Sequence, residues 1–470
     1  MILPSVARQV ALTAEAEEAA RMVRMAAAWA AYYGQSEPPL KVRPGEPDDN
    51  VVLNFSRLIV DKGAGLLIGD GVGFECDTEA EAEAGEGGAG SPQQDYLDAV
   101  WKANRRDTLL HSLATNGGVC GHAWLKLVET PGRPPRVVNL DPQSVTAHWD
   151  PSDYQTVLRY VVAWHGIDPN TGKPVAYRQT HTPDGGGWAI TDERAEGDGR
   201  WVTTAEALWP HAWSQLHGCQ NMPAPNEYYG ASDIERDVLG VNRSINFTMS
   251  NIARILRHHA HPKTFSTGWS PGPNVDVGLD RLITLPQGAD IRTVEMQSDL
   301  GSSIEFYERL KSILHELARI PEVATGKLEG LGGLSGIALK ILYTPMVEKT
   351  VVKQRTYGDM LRELCGHLLE LGGLAPVDVR VVWPEIVPQD PYQEAQTSVL
   401  RQQVGFSRDT LIEDMGGDPA QEAQRREQDS ATVGQQVARS FVQGASGAQV
   451  PYQAPASGRL PTQATGRPGA

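Results

Sequence analysis

Between residues 234 and 255 the side chains Ile234, Val238, Val241, Ile245, Ile252 and Ile255, with Thr248 among them, recur at alternating steps of four and three. That spacing keeps them on one face of an α-helix for about three heptads. Ser232, followed three residues later by Glu235, has the pattern of a capping box, in which hydroxyl and carboxylate each satisfy an amide of the first turn. Asp233, Glu235 and Asp237 crowd the start of the segment and Arg254, Arg257 and His258 its end, as the helix dipole favours. About 27 residues at 1.5 Å each make a rod of roughly 40 Å. A seam that persists along such a rod needs partners along its length.

Pro262, Pro271 and Pro273 stop the rod, and residues 262–298 read as a small unit of strands and turns, with 282–285 and 291–294 the strand candidates. Ser302 with Glu305 repeats the capping pattern, Ile304, Tyr307, Leu310, Leu314 and Leu317 give an apolar face, and Pro321 ends this second helix. Gly326, Gly330, Gly332 and Gly333 then make a mobile loop whose charges are Glu322, Lys327 and Glu329. A long helical pattern runs from Gly336 to about Leu371. Pro345 inside it predicts a kink, and Gly372-Gly373 closes it. Alternation around Val377, Val379 and Val381 predicts a strand, and helices are expected over 391–403 and 408–429. After Asp429 no acidic residue occurs and Gly, Ala, Gln and Pro dominate, which predicts a disordered tail.

Upstream, residues 1–36 are rich in Ala and Glu, with Met22, Met25 and Trp29 at helical spacing, and Pro38-Pro39 ends that helix. Gly63, Gly65, Gly69, Gly71 and Gly73 predict a helix-to-strand turn, and 77–94 an acidic, glycine-rich loop. One helix over 94–116 and strands over 123–128, 137–140 and 157–164 follow, with turns at 168–172 and 183–187. The middle third is thus an α+β body with a β-rich insert. With 470 residues and 40% apolar content, two to four domains can each bury a core. Cys76, Cys120, Cys219 and Cys365 lie far apart without a C-x-x-C pair, so neither a disulfide framework nor a cysteine-rich zinc site is expected, and a reducing cytosol fits. No basic leader precedes an apolar core at the N-terminus, and no apolar run reaches 18 residues. Export and membrane insertion are therefore not expected. A net charge of −16, from 58 acidic and 42 basic residues, argues against wrapping nucleic acid on a broad basic face.

Catalytic motifs fail at particular positions. Gly326-Lys327 is followed by Leu328 where a P-loop needs Ser or Thr, and Pro321 stands at the first glycine of that motif. Gly63-x-Gly65 lacks the third glycine of a dinucleotide fingerprint, and Arg319 replaces the second histidine of H-E-x-x-H after His315-Glu316. Gly333-Leu334-Ser335-Gly336-Ile337 lacks the last glycine of a nucleophile elbow. His258, His259 and His261 read as solvated or dipole-stabilising residues, and Cys365 and His367, two apart on a helix, point different ways. Trp149, Trp164, Trp188, Trp201, Trp209 and Trp213 cluster in the β-rich middle, where core packing or subunit contact is the plain expectation. No catalytic residue, metal or cofactor is expected, and the chain is not read as an enzyme.

The order helix, small β-rich unit, helix, glycine-rich loop, long kinked helix, strand and helical C-terminus resembles the portal proteins of tailed bacteriophages. N-E-Y-Y-G-A-S-D-I-E-R-D-V from Asn226, with N-R-S-I-N-F-T-M-S-N from Asn242, is similar to the start of that family's first stem helix. I-P-E-V-A-T-G-K-L-E-G-L-G-G-L-S-G-I-A-L-K from Ile320 to Lys340 is similar to its tunnel-loop signature. Asn54, Ile59-Val60-Asp61, Gly69, Trp101, Asn104, Leu140-Asp141-Pro142 and the text after Trp383 match as well, so the resemblance covers about residues 50–430.

The resemblance implies an α+β portal fold. It would have an N-terminal helical segment (1–39), a wing (40–230 and 336–388), a helical stem (231–260 and 299–320), a small β-rich clip (261–298), a tunnel loop (321–335), a helical crown (389–429) and a tail (430–470). It implies a homo-oligomer, a dodecameric ring at one capsid vertex of the virion, assembled in the host cytoplasm. The ring would conduct double-stranded DNA during packaging and ejection. Partners would be the terminase large subunit, the major capsid and scaffolding proteins and a head-completion adaptor, with no membrane. Lys327, Leu328, Glu329, Leu331, Leu334 and Ser335 would face the DNA, with Lys327 the one cation nearby. An acidic chain suits a channel in which DNA slides, because many phosphate-neutralising Lys and Arg would hold it through counterion release. The alternative is another phage head-assembly or minor capsid protein with no DNA-conducting channel.

Overall fold

What the sequence reads as one helix over 94–116 is two, α3 (Pro92–Ala103) and α4 (Arg106–Cys120), because Arg105 takes a left-handed conformation at φ 54°. Asn104 causes the break. Its carboxamide accepts from the Val137 amide at 2.8 Å and donates to the Pro135 carbonyl at 2.9 Å, replacing helix propagation with a tie to the neighbouring strand. The computed structural model describes residues 4–76, 91–150, 152–168, 171–197, 199–260, 264–268, 287–293, 300–326, 336–386 and 400–414, with 419, 422, 423, 425 and 426. The chain divides into two units, 1–388 and 389–470.

The first unit opens with α1 (Pro4–Tyr32) and α2 (Phe55–Ile68). Asn54 caps α2 by accepting from the Arg57 amide at 2.9 Å, and its NH2 donates to the Tyr32 carbonyl at 2.8 Å, so the same residue joins the two helices. Strand β1 (Gly73–Cys76) pairs antiparallel with the late strand β12 (Val379–Val382), Gly73 opposite Val382. A three-stranded antiparallel sheet has the order β3 (Arg136–Leu140), β2 (His122–Val128), β9 (Leu216–Gln220). The insert is a five-stranded antiparallel meander of β4 (Val145–Asp150), β5 (Asp153–Ile167), β6 (Pro174–Asp184), β7 (Gly187–Ala195) and β8 (Trp201–Trp209). Gly185 and Gly186, at φ 55° and 97°, supply the two positive-φ positions that a tight β6–β7 hairpin needs.

Helices α5 (Arg236–Ala260) and α6 (Leu300–Ala318) pack on each other. Between them β10 (Thr264–Thr267) pairs with β11 (Asp290–Thr293), and the strand expected over 282–285 lies outside the described residues. Helix α7 (Gly336–Leu371) runs through Pro345. In the second unit, residues 400–404 are helical and α8 spans Arg408–Asp414, where Ser407 Oγ accepts from the Thr410 amide at 3.1 Å. The tail 430–470 lies outside the described residues.

Among the described residues, three cores hold the first unit together. Leu97, Trp101, Leu110, Leu113, Leu364 and Leu368 centre the one that joins α3, α4 and α7 to β2. Ile59, Val60, Ile234, Ile245, Leu314 and Ile320 centre the one under α5 and α6. Trp124, Val145, Tyr160, Trp188, Ile190 and Trp209 hold the insert to the three-stranded sheet. Of the six clustered tryptophans, Trp188 and Trp209 are buried and Trp149 and Trp213 pack beside them. Trp164, 43% exposed, stacks on Tyr177, and Trp201 covers the Arg178 guanidinium at 4.4 Å.

Candidate functional site

The segment singled out first by its seam enters the body at one buried carboxylate. Asp233 Oδ2 pairs with Lys353 Nζ at 2.5 Å and Oδ1 with Lys349 Nζ at 3.1 Å, while the Asn221 carboxamide donates to Oδ1 at 3.3 Å. Tyr357 donates to Asn221 Oδ1 at 3.2 Å, and the Asp233 amide donates to the Gly118 carbonyl at 2.8 Å. Lys349 also donates to the Ala318 carbonyl at 3.1 Å. One turn of α7 therefore ties the start of α5 to the end of α6. Burial alone would raise the Asp233 pKa, but the ammonium groups of Lys353 and Lys349 outweigh it and hold the carboxyl at about 2.

Glycines make room for this cluster. A Cβ on Gly63 of α2 would stand 3.1 Å from Asp233 Oδ2, and one on Gly118 of α4 would stand 3.0 Å from the same atom. A Cβ on Gly117 would collide with the Tyr357 hydroxyl. Gly63, read in the sequence as part of a failed dinucleotide fingerprint, is thus with Gly117 and Gly118 a close-approach position for a charged, buried joint.

Of the capping box expected from the sequence only the carboxylate half forms, the Glu235 carboxylate accepting from the Ser232 amide. The Ser232 hydroxyl donates to the Gly118 and Val119 carbonyls at 2.9 and 2.8 Å and accepts from the Ile234 amide at 3.1 Å, and α5 begins only at Arg236. Tertiary bonds to the end of α4 take the hydroxyl that local capping would use. Ser302 likewise lies inside α6, which is already helical at Leu300.

Ile234, Val238 and Ile245 pack against Ala28, Ile59, Val60, Val119, Leu314, Ala318 and Ile320, all from the same chain, with Val241 half-buried beside them. Ile252 and Ile255 lie further along, beside Ser302, Ser303 and Phe306. These pairings make α5 and α6 antiparallel. On α6, Leu314 is buried and Tyr307 and Leu310 half-buried, but Ile304 and Leu317 are 51% and 44% exposed, so the expected apolar face is only partly covered. Phe247 and Phe306 are also more than half exposed.

A second feature of α5 carries no heptad signal. Residues 49–53 lie along its polar face: the Leu53 amide donates to Asn246 Oδ1 at 2.9 Å and the Val51 amide to Ser250 Oγ at 2.9 Å. Arg257 holds Asp49 through two bonds of 2.8 and 2.6 Å, with Arg254 at 3.6 Å. The Arg257 bonds, with the nearby Arg254 charge, lower the Asp49 pKa. Asn242, Asn246, Ser250, Arg254 and Arg257 recur every three or four residues, and that polar periodicity is the signal that could have revealed the strap.

Lys327, Leu328, Glu329, Leu331, Leu334 and Ser335 lie outside the described residues. Their flanks are the short 3₁₀ helix Glu322–Thr325, ending at Gly326 with φ 94°, and the start of α7. Lys311 Nζ stands 3.8 Å from Glu322. His261 and the side chains of His258 and His259 are likewise not described. Cys365 enters the core, whereas His367 stacks on Trp213 and shares a 2.7 Å hydrogen bond with His217. Among the described residues, no group of His, Cys, Asp and Glu is placed to hold a metal ion, and no helix is long and apolar enough to cross a membrane.

The structure is thus a mixed α and β body with an antiparallel helix pair, the start of α5 and the end of α6 both anchored on the long helix α7. The chain belongs to the family described as phage portal protein, SPP1 Gp6-like, which it matches over residues 16–184 and 236–436. No curated protein matches it. Among solved structures it is similar to a chain of the neck of a native gene transfer agent particle computed with C12 symmetry, at 15% identity and TM-score 0.39, over 77% of this chain and 88% of that one. It is also similar to a chain of the virion of a native gene transfer agent particle, at 16% identity and TM-score 0.41, over 85% of this chain and 99% of that one.

Proposed function

We propose that this portal-family chain forms a closed ring at one vertex of a phage capsid and that double-stranded DNA passes through the ring during packaging and ejection. The body of residues 40–230 and 336–388 is the wing, α5 and α6 are the stem, and the segment between them is the clip, where the terminase large subunit docks and an adaptor binds later. Residues 389–429 form the crown. Major capsid and scaffolding proteins surround the ring. The tunnel loop 321–335 would face the channel through Lys327, Leu328, Glu329, Leu331, Leu334 and Ser335, with Lys327 as the cation near the DNA backbone.

One observation carries the ring. Phe247, Ile304 and Phe306 are each more than half exposed on a helix pair whose body-proximal half buries Ile234, Val238, Ile245, Leu314 and Ala318. Large apolar residues concentrated on two adjacent helices mark a protein–protein contact. Native mass spectrometry of the full chain, with negative-stain images, tests this. Rings with a central hole wide enough for duplex DNA are expected; a species that stays monomeric or a closed dimer at high concentration, with no axial hole, overturns it.

A further inference from the structure

We infer that the groove between α5 and α6 receives Ile304 from a second copy of the chain, each helix pair offering a groove on one side and a knob on the other. The groove has a volume of about 290 Å³ and is lined by Phe247, Ile252, Ile255, Ser303 and Phe306 among others. At its floor lie the far seam residues, Ile252 buried and Ile255 half-buried, and at its rim Phe247 and Phe306, both more than half exposed. Its volume exceeds that of an isoleucine side chain, which fills roughly 100 Å³ at the packing density of a protein interior.

Helical geometry puts knob and groove on opposite sides. Ser302 and Phe306 are one turn apart and both line the groove. Ile304 is two residues from each, about 200° around the helix, and is 51% exposed. A surface that presents a cavity on one side and a fitting apolar side chain on the other joins copies head to tail, and repetition of that contact closes a ring or continues as a filament.

Charge sets the same register. Arg243 lies one turn before Phe247 on α5 and is exposed; Glu308 lies one turn after Ile304 on α6 and is exposed. Because the helices are antiparallel, both steps lead toward the body. With Ile304 of one copy against Phe247 of the next, Glu308 comes beside Arg243, an arrangement that selects this pairing over a slipped one. This complementarity within a single chain favours a second copy over a different protein as the occupant.

The inference rests on the ring reading, and the test separates the two. The full-length variants F247C and I304C are prepared separately, assembled alone and as an equal mixture, and mildly oxidised, with the wild type as control. Cys76, Cys219 and Cys365 are buried and Cys120 is half-buried, so the native background is low. Covalent dimers in the mixture, with none in either variant alone, are expected. Rings seen by native mass spectrometry without covalent dimers overturn the knob-and-groove pairing and leave the ring standing. Dimers from I304C alone mean a two-fold contact and also overturn the pairing. Wild-type protein that never assembles overturns both. I304D, at a half-exposed position, is expected to abolish rings while leaving the far-UV circular dichroism spectrum and thermal transition of the subunit unchanged.

Discussion

Asp233→Asn tests the buried joint most directly. The carboxylate has a side-chain exposure of 1% and faces Lys353 at 3% and Lys349 at 12%, so removing its charge takes the counter-charge from one fully buried and one largely buried lysine. Breaking such a pair costs about 3–5 kcal/mol. With an unfolding entropy of roughly 2.1 cal/mol/K per residue, the unit of residues 1–388 has about 0.8 kcal/mol/K, so Tm at pH 7 is expected to fall by about 4–6 °C. Differential scanning calorimetry measures this. The double variant D233N/K353M removes a buried charge of each sign and is expected to recover part of the loss.

The pH dependence gives a second readout of the same residue. The folded pKa of about 2 is depressed from 3.8, so this carboxylate contributes stability above pH 3.8 that is lost as pH falls through 2. At 1.36 kcal/mol per pKa unit the contribution is roughly 2.5 kcal/mol, and D233N is expected to lack it. A D233N Tm within about 1 °C of wild type, or an unchanged stability slope between pH 4 and 2, would refute the account of the joint.

His122 is buried among Trp124, Tyr228 and Tyr229 with no partner on either ring nitrogen, and burial, with the Arg21 charge, holds its pKa at about 3. Being depressed from 6.5, it favours unfolding as pH drops from 6.5 toward 3. His122→Phe is expected to raise stability by about 1–3 kcal/mol, the desolvation cost of an unpaired buried polar group, and to flatten denaturant midpoints across that range; a loss of stability at pH 5 counts against this. Asn246→Ala leaves the Leu53 amide without its acceptor, at a cost of about 1–3 kcal/mol. Hydrogen exchange at Leu53 and Val51 is expected to speed up, whereas unchanged protection would mean that the strap is held by Arg257 and Asp49 alone.

The elements whose pattern is local were legible before the structure. Period-four and period-three apolar spacing marked α5, alternation marked β12, and the glycine-rich run 183–187 marked a turn between strands, since each depends only on backbone geometry and the side chains a few residues away. The family was legible for a similar reason: motif order along the chain is itself a sequence property. Helix termini were legible where local chemistry sets them, as at Gly336 and Leu371 of α7, and not where distant residues do. Ser232 carries a capping pattern, but the Gly118 and Val119 carbonyls, over a hundred residues upstream, claim its hydroxyl. Asn104 likewise ends a helix only because β3 stands beside it.

What the sequence by itself determined, then, is the succession of elements and the amphipathic faces they must bury, because both follow from residue types at fixed spacing. Only the tertiary structure decided which of those faces the chain covers for itself. Ile234, Val238 and Ile245 are sealed by α2, α4 and α6, and Asp233 is neutralised by lysines 116 and 120 residues away, while Phe247 and Ile304 are left open. A heptad pattern says that a face needs a partner. It cannot say whether the partner lies in the same chain, because desolvation rewards contact with any apolar surface of the right shape.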